Sequence, residues 1–194
     1  MRSPIAAVAA FTLSSALLSG SVPLAAQERT GASGHRPGPA VDQPVLDDAT
    51  VVAIFDAANT ADIETGRLAA KRGRSRKIRD FGAQLARDHT AVRQQGRDLA
   101  KKLGVTPTPP ADDSTAKAHA EAMAKLRSLR GEEFDRAFLR HEATFHRQVI
   151  DAVQTTLLPA IRNEELRALV VKVAPAFQAH MIVAERLEKE LASE

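Results

Sequence analysis

Three histidines occur at positions where long helical patterns would bury apolar side chains, and imidazole at such positions can bind a metal ion. His89, His146 and His180 each follow the spacing of three and four residues that marks the inner face of a helix. A buried ionisable group needs a partner, because leaving it unpaired away from water is costly. Neutral imidazole is a borderline-soft ligand that suits zinc, copper or iron. The pattern therefore predicts a transition-metal site, with a metal-free hydrogen-bonded network as the alternative.

Carboxylates accompany these histidines and would compensate the charge of an ion. Glu142 lies one helical turn before His146, so both side chains project from the same face. Glu64 falls in the inner stripe expected for the first helix, although it lies up to ~9 Å from the level of His89 along the axis. Asp88, adjacent to His89, is the nearer alternative. The sequence assigns no catalytic residue, and the candidate metal ligands are His89, His146, His180, Glu142, Asp88 and Glu64.

Four long helices are predicted to position these residues. Capping residues, glycines and prolines place them over about 48–72, 76–103, 132–157 and 164–191, with a shorter helix over about 114–129. Short connections predict that the first two long helices form one antiparallel hairpin and the last two another. The 28 residues of Gly104–Gly131 separate the hairpins and can return the chain along the bundle. The expected fold class is all-α, a ferritin-like four-helix bundle whose two antiparallel hairpins are joined by a crossover containing a short helix.

The first 26 residues have the pattern of a secretory signal peptide. Arg2 precedes an uncharged apolar run over 5–18, and Ala26 ends a segment of small residues suited to cleavage. This run is shorter than the ~20 residues that a spanning helix needs, and no later stretch is expected to approach that length without charges. Residues 27–46, rich in Gly, Pro and Ser, predict a flexible linker before a domain over 47–194. We expect a periplasmic or secreted protein with no transmembrane segment in the mature chain.

Composition excludes several other classes of function. The 194 residues contain no Cys, which excludes disulfides, thiolate metal sites and cysteine nucleophiles. A net charge of +3 and the absence of Trp and Tyr argue against nucleic-acid binding, since only seven Phe could stack on bases. The basic run over 71–79 is interpreted as a solvated turn, with weak contact to an anionic membrane surface as the alternative. The sequence leaves the oligomeric state and any substrate open.

Several short motifs lie between residues 48 and 190: Ala61-Asp62-Ile63-Glu64 with Leu68-Ala69, Phe81 with Leu85 and Asp88-His89-Thr90, Leu126, Leu129 and Gly131 with Phe134-Asp135-Arg136, His146, and Pro175 with His180 and Ala184. Together they resemble the bacterial exported ferritin-like proteins of the family called domain of unknown function 4142. The resemblance implies an exported four-helix bundle and implies no activity. The chain departs from the ferritin di-iron pattern, because Ala86 and Phe177 stand where a Glu would precede His89 and His180 by three residues.

The residues thus favour an exported helical bundle that binds one divalent transition metal ion, zinc, copper or iron, through inward His and carboxylate groups. A mononuclear zinc or copper site suits the His-rich set better than a ferroxidase centre. Two alternatives remain at this point. One is a structural or stress-related envelope protein with a metal-free polar core. The other is a metal-dependent redox or hydrolytic enzyme, which would need a solvent path to the ion.

Overall fold

Helices account for all regular secondary structure in the part of the chain that the computed structural model describes, residues 46–111 and 114–193. These are α1 (Asp48–Arg72), α2 (Arg76–Leu103), α3 (Ser114–Ser128), α4 (Gly131–Ala152), α5 (Leu158–Ala160) and α6 (Glu164–Ala192), with a π-helical turn over Val153–Leu157 between α4 and α5. The predicted bounds of the first two helices match those observed. The predicted signal peptide, and the predicted linker up to residue 45, lie outside the described residues.

Side-chain caps fix where the long helices begin. Asp47 accepts the Thr50 N–H at 2.8 Å at the start of α1, and Ser75 Oγ accepts the Ile78 N–H at 3.2 Å at the start of α2. Asn163 Oδ1 accepts the Glu165 and Leu166 N–H groups at the start of α6. Gly104 ends α2 in the left-handed region at φ 66°, a conformation that glycine adopts without a steric penalty. These local signals explain why the helix bounds could be read from the sequence.

The long helices pack as two antiparallel pairs. In the first pair, Arg97 near the end of α2 donates to Asp56 near the start of α1, at 3.0 Å between Nη2 and Oδ2. In the second pair, Arg140 on α4 donates to Glu188 on α6 at 3.0 Å. Further contacts join α1 to α4 and α2 to α6. The described residues therefore form a helical bundle.

An aspartate from each helix pair accepts backbone hydrogen bonds from the connection within the other pair. Asp135 on α4 accepts the backbone N–H groups of Arg74 and Ser75, at 2.9 and 3.3 Å, in the turn between α1 and α2. Asp48 on α1 accepts the N–H groups of Arg162 and Asn163, at 2.8 and 3.0 Å, before α6. These two carboxylates satisfy backbone donors that would otherwise lack helical partners, and they fix the register between the pairs.

The connection between the pairs runs along α1 and α4. Helix α3 buries Met123 and Leu126 against the bundle. Arg72 of α1 donates to the carbonyl oxygens of Arg127 and Leu129, at 2.8 and 2.9 Å, and so anchors the end of the crossover. The short helix predicted within the crossover is confirmed.

Two apolar clusters fill the ends of the bundle, and a polar layer lies between them. The first cluster includes Ile78, Phe81, Leu85, Phe134, Phe138, Leu139, Ala184, Leu187 and Leu191. The second includes Val51, Val52, Phe55, Val92, Leu157, Leu166, Val170, Val173 and Phe177. On each of the four long helices, the buried polar residues that form the candidate site occur where the sequence passes from one cluster to the other.

The long helix predicted over 132–157 is not one continuous α-helix. Its last five residues form the π-helical turn, and Pro159 lies in the short helix that follows, α5. A proline has no N–H and its ring crowds the carbonyl four residues earlier, here that of Thr155. Widening the helix by one residue relieves this conflict, which explains why the regular pattern was wrong at this point.

By length and mean hydropathy, α6 is one helix among the described residues that could cross a membrane. Charged residues, among them Arg167 and Lys172, lie within α6, so this does not contradict the expectation that no later stretch approaches spanning length without charges. The same test is passed by core helices of bundles, and α6 packs Phe177, His180 and Ala184 inward between the other long helices. Val171 and Ile182 on its outer face are 54% and 53% exposed.

Most basic side chains in the run at the turn between α1 and α2 form hydrogen bonds or ion pairs within the chain. Besides Arg72, Arg74 pairs with Glu132 at 3.2 Å, and Arg79 donates to the carbonyl oxygens of Gly73 and Arg74. These cations therefore help to hold the turn. The alternative of a weak membrane contact stays a prediction.

We predict that Gly82→Ala destabilises the bundle by about 2–3 kcal/mol, because α1 and α2 approach closely at Gly66 and Gly82. A Cβ at Gly82 would lie 2.6 Å from the Gly66 carbonyl oxygen and 2.7 Å from the Ala70 backbone nitrogen. Gly96→Ala is the matched control on the same helix, since its Cβ would meet the Phe55 ring, a side chain that can shift. Urea unfolding of both variants measures the difference. Equal losses in the two variants would contradict the close backbone approach.

Candidate metal centre

The three predicted histidines meet in the polar layer of the bundle. His89 comes from α2, His146 from α4 and His180 from α6, and one ring nitrogen from each lies within 4.8 Å of the other two. Their ring centroids are 5.1–5.5 Å apart. They are 1%, 0% and 3% exposed. The rings are therefore close enough for a single ion to contact all three.

Hydrogen bonds at the outer edge of the cluster fix which nitrogen of His89 carries the proton. Its Nδ1 lies 2.9 Å from the Asn59 side-chain oxygen, which can only accept. Exchanging the Asn59 amide oxygen and nitrogen would lose a hydrogen bond, because Nδ2 donates to the Phe55 carbonyl at 2.8 Å. His89 Nδ1 is thus the donor, and the lone pair of the neutral ring is on Nε2.

The other two rings are fixed in the same manner. His180 Nε2 lies 2.9 Å from an Asp88 carboxylate oxygen, so the lone pair of His180 is on Nδ1. His146 Nδ1 donates to the Glu142 backbone carbonyl at 3.0 Å, which leaves the His146 lone pair on Nε2. His146 Nε2 has no hydrogen-bond partner within the described residues.

Two of these lone pairs face each other. His89 Nε2 and His180 Nδ1 are 3.2 Å apart, and neither nitrogen has a proton to donate once the outer bonds are made. Two lone pairs at this distance repel unless a cation or a proton lies between them. Two nitrogen ligands of a tetrahedral zinc ion, each at 2.0–2.1 Å from the metal, lie about 3.3 Å apart. The distance between His89 Nε2 and His180 Nδ1 therefore matches the distance between two ligands of one zinc ion.

Two carboxyl groups adjoin the histidines without partners of their own. Asp62 from α1 and Glu142 from α4 are fully buried, and none of their four oxygens finds a hydrogen-bond partner within the described part of the chain. Asp62 Oδ2 lies 3.4 Å from His89 Nδ1, and Glu142 Oε2 lies 3.5 Å from His146 Nδ1. One oxygen of each carboxyl and one nitrogen of His146 lie within 4.8 Å of one another.

Burial dominates the electrostatics of the cluster. Loss of water raises the pKa of Glu142 to about 7, and burial together with the neighbouring Glu142 raises the pKa of Asp62 well above its usual value. Burial also lowers the pKa of His89 to about 2 and that of His146 to about 3, with repulsion between the imidazoles contributing. His89 and His146 are thus neutral at pH 7 and available as ligands, and the carboxyl pair can ionise when a cation is present.

One apolar ring, that of Phe177, closes the cluster from one side. The Phe177 ring centroid lies 4.9 Å from that of His89 and 5.8 Å from that of His146. Phe177 belongs to the second apolar cluster, so the polar layer is separated from water in the direction of that end of the bundle. A water-poor setting strengthens the attraction between a cation and the carboxyl groups.

Glu64 does not point into the bundle, and the prediction that it does was wrong. Its side chain is 48% exposed and pairs with His119 of α3 at 2.9 Å. Residues two positions apart point about 200° apart around a helix, so Glu64 faces outward when Asp62 faces inward. The stripe was misplaced because seven of the 25 residues of α1 are alanine, which can lie on either face.

Asp88 lies at the edge of the cluster instead of within it. Its side chain is 41% exposed, and its contact with the site is the hydrogen bond from His180. An outer carboxylate that holds a ligating imidazole is a common arrangement around protein metal ions. Glu142, by contrast, lies inside, beside His146.

Sequence reasoning missed the contribution of α1. Asn59 and Asp62 are fully buried, one turn apart, and face the histidines of α2 and α4. The available signal was a series of polar residues at a spacing of three, Asn59, Asp62 and Thr65, all of which are buried. Asp62 also lies within one of the motifs that carried the family resemblance.

The described residues define a class of protein, an all-helical bundle with a buried histidine–carboxylate cluster between two apolar ends. The chain belongs to a family known by its description as domain of unknown function (DUF4142), whose family model matches residues 32–187. This match confirms the resemblance noted from the sequence. No curated protein matches the chain.

A crystal structure shares the fold. It is described as a DUF305 fragment from Deinococcus radiodurans, and it matches with a TM-score of 0.65 and 17% sequence identity. The match covers 73% of this chain and 95% of that chain. At this identity the likeness supports the helical-bundle fold alone.

Proposed function

We propose that this protein binds one divalent transition metal ion, zinc or copper, in the polar layer of the bundle. The ligands would be His89 Nε2, His180 Nδ1 and His146 Nε2, the nitrogens that the outer hydrogen bonds leave without a proton. The single observation that carries the proposal is that one ring nitrogen from each of these three buried histidines lies within 4.8 Å of the other two. Imidazole nitrogen suits zinc and copper, and the absence of cysteine removes any thiolate competitor.

The neighbouring carboxyl groups fit a doubly charged ion. With neutral histidines and both Asp62 and Glu142 ionised, one divalent cation gives an assembly with no net charge. A buried assembly without net charge avoids most of the desolvation penalty of an isolated ion. The two carboxyl groups would therefore supply charge compensation and, if they contact the ion, oxygen ligands.

A metal-free polar network is the competing interpretation. Such a network stabilises a fold when all of its members are hydrogen-bonded, and it destabilises the fold when they are not. Five buried atoms of Asp62, Glu142 and His146 lack hydrogen-bond partners within the described residues. A proton shared between the Asp62 and Glu142 carboxyl groups satisfies part of this deficit, and the His146 Nε2 lone pair still lacks a donor, which favours a site that a cation completes.

The low exposure of all three imidazoles favours binding over turnover, because a hydrolytic or redox reaction needs a solvent path and an open coordination position. We further propose that the two hairpins and the crossover form a ferritin-like arrangement. With the predicted signal peptide, the protein would hold its ion in the periplasm or outside the cell.

Metal titration of the protein, purified without a histidine tag and stripped with a chelator, tests the proposal. We expect one zinc or copper ion per chain and a rise in melting temperature, because an ion at 100 times its Kd stabilises the folded state by about 2.7 kcal/mol. Magnesium, a hard cation that prefers oxygen ligands, is the control and should give no such rise. Less than about 0.2 equivalents of zinc or copper bound, with no thermal shift, would contradict the proposal.

A further inference from the structure

An ion can reach the three imidazoles only if part of the bundle moves, since none of the rings is more than 3% exposed. His180 differs from the other two in what its outer nitrogen contacts. His89 and His146 bond to Asn59 and to a backbone carbonyl, both of which are buried. His180 bonds to Asp88, whose side chain is 41% exposed. Among these three histidines, His180 is thus the one linked directly to a carboxylate at the surface.

The helix that carries His180 is also weakened near this residue. Pro175 lies five residues earlier inside α6, and proline removes the N–H that would bond to the carbonyl of Val171. Val171 is on the solvent side and 54% exposed. The other three helices that supply the site, α1, α2 and α4, contain no internal proline. Local opening is therefore expected more readily in α6 than in its neighbours.

We propose that Asp88 and His180 form the port through which the ion enters and leaves the buried site. Asp88 attracts a cation at the surface, and the His180 ring turns so that Nδ1 meets the ion there. When the ring returns, its Nε2–H again donates to Asp88 and Nδ1 brings the ion to His89 and His146. This inference rests on the proposed function, since it requires that the site binds an ion.

The Asp88→Asn variant distinguishes a role of Asp88 in ion entry and exit from a role in orienting His180 alone. The asparagine oxygen can still accept the His180 Nε2–H, so the ring keeps its orientation while the negative charge is lost. A group that stabilises the ion during passage affects entry and exit equally. We therefore expect the association rate constant for zinc to fall by about ten-fold, whereas loss of support for His180 alone would raise only the dissociation rate constant.

Stopped-flow mixing with a chromophoric zinc indicator measures both rates, since the chain has no Trp or Tyr to report binding by its own fluorescence. Asp98→Asn is the matched control, because Asp98 is on the same helix, is exposed and contacts Gln94 instead of the site. Its rates should equal those of the wild-type protein. Pro175→Ala restores the missing N–H in α6 and should slow both rates without weakening binding.

Three results would overturn the inference, and each differs from a failure of the proposed function. Faster dissociation of zinc from Asp88→Asn with unchanged association would mean that Asp88 only supports His180. Unchanged rates in Asp88→Asn would place the port elsewhere. Equal slowing in Asp98→Asn would mean a general charge effect. If the wild-type protein itself binds no zinc or copper, the proposed function fails, and the inference falls with it before any variant is compared.

Discussion

Replacing His146 with leucine will weaken zinc binding by more than about a hundred-fold and will leave the apo bundle folded. The expected loss exceeds the 10–100-fold effect of outer residues around metal sites, because the substitution removes one of three nitrogen ligands. Leucine fills a similar volume and introduces no unpaired polar atom. The wild-type ring has a buried Nε2 without a hydrogen-bond partner in the described residues, so its removal costs the apo protein little. Competition with a zinc chelator measures the affinity, and circular dichroism confirms the helical content.

His141→Leu is the matched control for this prediction. His141 is on the same helix five residues earlier, and burial lowers its pKa to about 4. It stacks on Phe145, with ring centroids 5.8 Å apart, and it is not one of the three converging histidines. Zinc affinity should be unchanged in this variant. If His146→Leu also keeps wild-type affinity, the histidines form a metal-free network that sets the register of the helices, and the proposed ligand role is wrong.

The sequence predicts most of this fold because the signals that determine it are local. Ser75, Asn163 and Gly104 cap helices through bonds that span two to four residues, so their positions locate the helix ends directly. The π-helical turn was not foreseen, since it depends on how Pro159 is accommodated within a continuing helix. A periodic pattern records which residues are apolar and does not record where one residue is added to a turn.

The candidate site could be predicted where a polar residue interrupts a clear apolar stripe. His89, His146 and His180 are on helices whose other inward residues are mostly large and apolar, so their orientation follows from their neighbours. On α1 the inward residues from Asn59 onward are mostly small or polar, and two faces of this part of the helix look alike in sequence. The choice of Asp62 over Glu64 is made by tertiary contacts, chiefly the close packing of α1 on α2 at Gly66 and Gly82.

The carboxyl pair gives the second large effect, a stability that depends on pH. The pKa of Glu142 is about 7 in the folded protein and 4.5 as the reference value for the unfolded chain. A carboxyl whose pKa is raised by folding contributes its full stability below the unfolded pKa and loses it as the pH rises through the folded pKa. Glu142 therefore destabilises the apo protein increasingly between pH 4.5 and pH 7. His89 and His146 act in the opposite sense, since their lowered pKa values reduce stability as the pH falls below 6.5.

Comparing Glu142→Gln with the wild-type protein cancels the contribution of the histidines. Glutamine has the shape of the protonated acid and no charge, so the two proteins should have similar stability at pH 4.5. At pH 8 the variant should be more stable by about 3 kcal/mol, the equivalent of the shift in the Glu142 pKa. Urea unfolding of chelator-treated protein across this range measures the difference, with the exposed Glu133→Gln as control. A difference that does not grow with pH would mean that the Glu142 carboxylate is already stabilised in the apo bundle.

Zinc should reverse this order of stability. The ionised Glu142 that destabilises the apo protein at pH 8 becomes a partner of the bound cation, and glutamine cannot replace its charge. Saturating zinc is therefore expected to stabilise the wild-type protein more than Glu142→Gln, and by more at pH 8 than at pH 5, where protons compete with the ion for the carboxyl pair. The same buried carboxyl would then lower the stability of the apo bundle and raise its affinity for the ion. A zinc-induced stabilisation that is equal in both proteins would remove Glu142 from the site while leaving the three imidazoles in it.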